Sequence, residues 1–172
     1  MVCTTPQDNA NAMSRRNKLI WLCVGCWLAV GFMPIAQADF DDALAAYIRG
    51  DYDAAFKEYK TLAEQGHVRA QVSLAMMYSR GEGVPQDFEQ KAKWYGKAAA
   101  QGDRGAQNEL GVMYYGGRGV SRDYVLAHMW YILSAAQGNN NARQNRDFSA
   151  TRMTPEQIAE AQRLAREWKP VE

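Results

Sequence analysis

Few side chains in this sequence are of the kinds that carry bond chemistry. From Asp39 onward the histidines are His67 and His128, 61 positions apart. A transition-metal site draws three or four donors from closely spaced His and Cys, and neither histidine has such a neighbour. All three cysteines, Cys3, Cys23 and Cys26, lie before residue 39. Ser73, Ser79, Ser121, Ser134 and Ser149 belong to no Gly-x-Ser-x-Gly elbow and no Ser-x-x-Lys motif, so nucleophilic catalysis leaves no local signature. Asp41-Asp42 and Asp51/Asp53 stand where helices start, and the positive end of the helix dipole explains carboxylates there. His67 follows a Gln-Gly pair, where Asp103 and Asn139 stand later in the chain, which makes it a helix cap. His128 reads as a helix histidine, packed or partly exposed. No catalytic residue, cofactor or metal is expected, and the chain is not read as an enzyme.

One pattern with chemical potential remains. Gly83-Val-Pro-Gln-Asp87 returns as Gly119-Val-Ser-Arg-Asp123, with Gly81 and Gly117 two places ahead. Glycines before a helix can cradle a phosphate, but such a loop normally follows a strand and is used once. Here the loop returns with everything around it. Gln-Gly pairs stand at 65–66, 101–102 and 137–138, a step of 36 residues. The same step carries Ala70 to Ala106, Leu74 to Leu110, Met77-Tyr78 to Met113-Tyr114 and Trp94-Tyr95 to Trp130-Tyr131. Such self-similarity marks stacked repeats.

Within a unit the apolar spacing is helical. Ala70, Leu74, Met77 and Tyr78 share one face of a first helix, and Ala92, Trp94, Tyr95, Ala98 and Ala99 share one face of a second. The glycines release the backbone between them, Val84 and Val120 tuck inward, and Asp87 and Asp123 start the second helices. An antiparallel pair exposes apolar surface on both sides, so stacking is required and an all-α solenoid follows. Ala98, Ala99, Ala135 and Ala136 permit close helix approach. The ends differ, as array ends should. A half-unit occupies 39–66, with a short helix over 42–49. Full units occupy 67–102 and 103–138, and a degenerate one, with Arg146 where leucine stood, opens 139–172. Thr154, Pro155 and Gln157 start a C-terminal capping helix with Ile158, Ala161, Leu164, Ala165 and Trp168 on one face, a lid across the open end.

The first 38 residues read differently. A cationic stretch over 13–18, an apolar run over 19–33 closed by Pro34, and Ala36-Gln-Ala38 make a signal peptide cleaved after Ala38, with Met13 as an alternative start. An uncleaved N-terminal anchor is the competing reading. Cleavage leaves 134 residues, one domain's worth, secreted or periplasmic. Of 20 Lys and Arg and 19 Asp and Glu, three cations and one acid precede Asp39, leaving 17 against 18. That balance gives no basic stripe for nucleic acid and no cationic face for a membrane surface, and no membrane insertion is expected after cleavage.

The order Ala-x-x-x-Leu-(Gly/Ala)-x-Met-Tyr, Gly-x-Gly-Val-x-x-Asp, Trp-Tyr, Ala-Ala-x-Gly resembles the Sel1-like repeat, a relative of the tetratricopeptide repeat. The stretch from Gly50 to Tyr59 is similar to the second half of a tetratricopeptide unit. The resemblance implies a right-handed α-solenoid, and a non-catalytic adaptor or scaffold of the bacterial cell envelope that binds another protein or peptide. In such arrays the first helix of each unit lines a concave groove, which assigns Arg69, Val72, Met76, Arg80, Asn108, Val112 and Tyr115 to partner binding. Cysteine-rich relatives imply the alternative of a hydrolase acting on cell wall or β-lactams, from which the cysteine-free stretch after Ala38 departs.

Overall fold

Gln-Gly punctuation sets the helix boundaries in the computed structural model, which describes residues 34–171. Eight helices and no strand occur among the described residues: α1 (Pro34–Ile48), α2 (Tyr52–Glu64), α3 (Val68–Arg80), α4 (Phe88–Ala100), α5 (Arg104–Gly116), α6 (Tyr124–Ala136), α7 (Asn140–Ala150) and α8 (Pro155–Glu167). Most of the expected leader, residues 1–33 of 1–38, lies outside the described residues, and the expected cleavage point falls within α1.

The short connections do two jobs with one residue. The amides of His67, Asp103 and Asn139 bond back to the carbonyls of Leu62, Ala98 and Ser134, closing α2, α4 and α6 in Schellman fashion. The same three side chains then cap the next helix, accepting from the amides of Ala70, Ala106 and Ala142 at 3.2, 2.7 and 3.2 Å. His67 is therefore the cap its position implied. The longer turns end on Asp87 and Asp123, each accepting from two amides of the helix that follows at 2.9 and 3.0 Å.

Helices pack in chain order, α2 on α3, α3 on α4 and so on to α7, which makes an all-α solenoid of antiparallel pairs. From Phe40 onward the chain forms one compact unit. The expected stripes face its core: Ala70, Leu74 and Met77 from α3, and Ala92, Trp94, Tyr95, Ala98 and Ala99 from α4, are all buried. Polar pegs cross between units. Buried Gln71 and Gln107 donate to the carbonyls of Ala63 and Ala99 near the ends of α2 and α4, and accept from Gln101 and Gln137 at 2.9 and 2.8 Å. The same carbonyls also accept from the amides of Gly66 and Gly102, so the next unit supplies each with a further hydrogen bond.

Four expectations change. The first helix among the described residues begins at Pro34 rather than near residue 42, because proline is compatible with a helix's first turn and the alanines after it favour its continuation. Ala136 is exposed, so Ala135 alone serves close approach in that unit. Val84 and Val120 are half-buried rather than core. Last, α8 has the expected capping box but packs along α6. Its Trp168 meets Trp130 edge-on at 6.2 Å, and the Val171 amide donates to the Ala100 carbonyl at 2.8 Å. The tail therefore covers second-helix surface and leaves the faces of α3 and α5 uncovered.

Candidate functional site

The 36-residue step that builds the core also places exposed apolar side chains. Met76 on α3, Val112 on α5 and Phe148 on α7 occupy one repeat position and are 37%, 42% and 57% exposed. A globular chain buries such residues where it can, so three at one periodic position form a row rather than scatter. At one end of the row lies a cavity of about 170 Å³, lined by Leu44 and Tyr47 of α1, Tyr59 of α2 and Ser73, Met76 and Arg80 of α3. The Tyr47 hydroxyl orders its mouth, donating to Glu82 Oε2 and accepting from Arg80 Nη1, both at 2.7 Å. Burial, and then the bond to Glu82, hold the Tyr47 phenol above its ordinary 10, so it remains a donor at neutral pH. Burial likewise raises Tyr59.

The seven residues expected to bind a partner divide. Met76 and Arg80 line the cavity, and Val112 continues the row. Arg69 is exposed with its guanidinium 4.2 Å from the centre of the Phe40 ring. Val72 is half-buried against the core. Tyr115 packs its ring against Tyr124 and Phe148 at 5.2 and 5.8 Å. Asn108 is corrected outright: it is only 8% exposed, and its Oδ1 accepts from Asn145 Nδ2 at 3.0 Å, so it joins α5 to α7 instead of facing a ligand. Phe148 was missed, although adding 36 to Val112 finds it. Leu44, Tyr47 and Tyr59 had no such signal, because three helices must meet before their wall exists.

The chemistry-bearing residues are placed away from this face. His128 Nδ1 and Ser149 Oγ lie 2.8 Å apart, both buried, where α6 meets α7. Ser149 Oγ gives its one proton to the Arg146 carbonyl at 2.7 Å, so the imidazole N–H donates to the hydroxyl. This is a bridge between helices, with the serine proton committed to the backbone. Burial first, and the Arg146 charge second, hold His128 below its ordinary 6.5, against the opposing charge of Asp147. Around that pH the unfolded chain takes up a proton that the folded protein refuses, so stability is expected to fall as pH drops through 6.5 and to level off once folded His128 titrates. In urea unfolding between about pH 7.5 and 5, His128→Gln should show a smaller loss than wild type. Identical profiles would remove His128 as the source.

Among the described residues no group of three or more His, Cys, Asp or Glu is placed to hold a metal, and no helix is long and apolar enough to cross a membrane. No curated protein matches the sequence. Among solved structures, the protective antigen c5321 of uropathogenic Escherichia coli, described as displaying an SLR fold, is similar at TM-score 0.73 and 30% identity over 78% of this chain, which spans 30% of that protein's length. A Sel1 repeat protein from Oxalobacter formigenes is 38% identical at TM-score 0.60, over 66% of this chain and 88% of its own. Cysteine rich protein B of Helicobacter pylori, at 19% identity and TM-score 0.51 over 66% and 98%, shares the fold. Residues 68–103 and 105–139 each match the Sel1 repeat. With the pairs, caps and punctuation found in the same two stretches, the chain belongs to the Sel1 repeat family.

Proposed function

We propose that this protein is an exported adaptor of the bacterial cell envelope, binding a segment of another protein along the face made by α3, α5 and α7. The observation that carries the reading is the exposed row Met76, Val112 and Phe148, which persists at one repeat position although the family's core positions are buried. Methionine and aromatic side chains suit such use, the first by adaptability and the second by large contact area. The leader-like first 38 residues support export. The hydrolase alternative draws nothing from the His128–Ser149 pair, which is buried between helices.

The test is capture of partners from the native envelope by crosslinking, with wild type beside a Met76→Ser, Val112→Ser, Phe148→Ser variant. Because all three side chains are exposed, the variant should melt close to wild type while capture falls by roughly tenfold or more, a loss expected when apolar anchors are removed. Undiminished capture by the folded variant would place the partner on another face.

A further inference from the structure

The cavity beside Met76 narrows what the partner must present. An apolar cavity of about 150 Å³ holds one benzene ring. The half-open pocket of about 170 Å³ lined by Leu44, Tyr47, Tyr59, Ser73, Met76 and Arg80 therefore admits one aromatic or leucine-sized side chain. Among the described residues Arg80 is the only charged one in that wall, and its side chain is 51% exposed. A guanidinium carries five N–H donors. The hydrogen bond Arg80 makes among the described residues is the one from Nη1 to Tyr47. Glu82 forms an ion pair with the same nitrogen at 3.8 Å, too long for a hydrogen bond, and its Oε2 also accepts from the Tyr47 hydroxyl, so a partner's carboxylate would meet the other N–H groups of the guanidinium. Tyr47 thus steadies the guanidinium at the mouth and occupies the nearest carboxylate.

The pairing of apolar rung and cation recurs at the other end of the row. Arg80 follows Met76 by four residues, and exposed Arg152 follows Phe148 by four, two repeats later. Complementarity to this arrangement calls for a bulky apolar residue next to an acidic one. Resting on the protein-binding reading above, we infer that the cavity takes an aromatic or leucine side chain from a partner polypeptide whose adjacent Asp or Glu pairs with Arg80. The buried ring supplies affinity, as anchors at interface centres do. The fork of the guanidinium, meeting a carboxylate in bidentate fashion, supplies register and excludes basic sequences.

The experiment is selection of a random dodecapeptide display library on the folded protein, followed by affinity measurement of the enriched peptides by fluorescence anisotropy. Enrichment of Phe, Trp, Tyr or Leu beside Asp or Glu is expected. Arg80→Gln should weaken those peptides by about tenfold and Arg80→Glu should select Lys or Arg in place of the acid, as loss or reversal of a charge partner requires. Arg80→Lys, which keeps the charge without the fork, should weaken them by a smaller factor. Apolar peptides without acidic preference, or affinities unmoved by Arg80→Gln, would overturn this inference alone and leave the Met76–Val112–Phe148 face standing. No enriched peptide at all would also overturn it, and envelope capture indifferent to the three rungs as well would overturn the face. The chain carries its own exposed Asp147-Phe148 pair. Concentration-dependent self-association that Phe148→Ser dissolves would give the cavity to a second copy and overturn a foreign partner.

Discussion

Gly119→Ala is expected to destabilise the protein by about 2–5 kcal/mol, the sum of backbone strain and an unrelievable clash. Gly119 has φ +73°, a conformation that costs an L-residue about 1–2 kcal/mol. A Cβ there would also run into the Phe88 carbonyl and stand 2.9 Å from the Glu89 amide. These atoms are the first turn of α4, held by the Asp123-equivalent cap at Asp87, and cannot swing aside as a side-chain tip would. Gly83 meets the start of α2 in the same way, its added Cβ 2.6 Å from the Tyr52 carbonyl carbon. Gly117 is the control. It shares the left-handed conformation at φ +67°, but its nearest neighbour is the Arg122 Cβ at 3.2 Å. Gly117→Ala should therefore cost about 1–2 kcal/mol from strain, with a small adjustment of Arg122. Urea unfolding of the two variants separates the contributions. Equal losses would mean that the α5–α6 turn does not bear on the preceding unit.

That contact changes what the paired Gly-x-Gly-Val-x-x-Asp stretches are. Read in the sequence, the glycines free the chain between two helices, and Gly81 and Gly117 do so as left-handed helix ends. Gly83 and Gly119 do something further: they let one unit's turn lie on the backbone of the unit before it. Arg118 strengthens the same junction, with its guanidinium 4.2 Å from the centre of the Phe88 ring.

What was legible follows from the range of the interaction. The 36-residue step, the buried stripes, the caps at Asp87, Asp123 and His67 and the Thr154–Gln157 box all arise within a turn or two of their own residue, so period and residue type reveal them. The contacts that tie separate helices together are not legible in this way. Gln71 and Gln107 reach eight residues back to a carbonyl and thirty ahead to a glutamine, and nothing in a single helix's pattern distinguishes them from surface glutamines. Asn108 misled for the same reason. A polar residue on a first-helix face reads as exposed until Asn145, 37 positions on, is known to meet it. The cavity is the extreme case, because its wall needs α1, whose face the sequence did not define. The placement of α8 along α6 likewise depends on Trp168 finding Trp130, a pairing that amphipathicity alone does not choose.

Trp94→Ala is the second large loss, expected at about 3 kcal/mol, the lower edge of the usual range for a core tryptophan. Trp94 is 4% exposed on α4, and its removal would leave a hole that neighbouring alanines Ala98 and Ala99 are too short to fill. Two features of the site set where in that range the value falls. The ring also receives the ammonium groups of Lys97 and Lys93 at 4.4 and 5.7 Å from its centre, contacts that truncation would lose. Against this, the indole N–H is buried with no hydrogen-bond partner among the described residues, a condition that costs roughly 1–3 kcal/mol in the folded state and disappears with the side chain. Trp94→Phe isolates that second effect. Phenylalanine keeps a ring and drops the orphan donor, so a loss of no more than about 1 kcal/mol is expected despite the smaller volume. Thermal and urea unfolding of both variants give the comparison. If Phe costs as much as Ala, the volume of the indole dominates and the N–H is satisfied in solution; if Ala costs nothing, Trp94 is not part of the core that holds the fold.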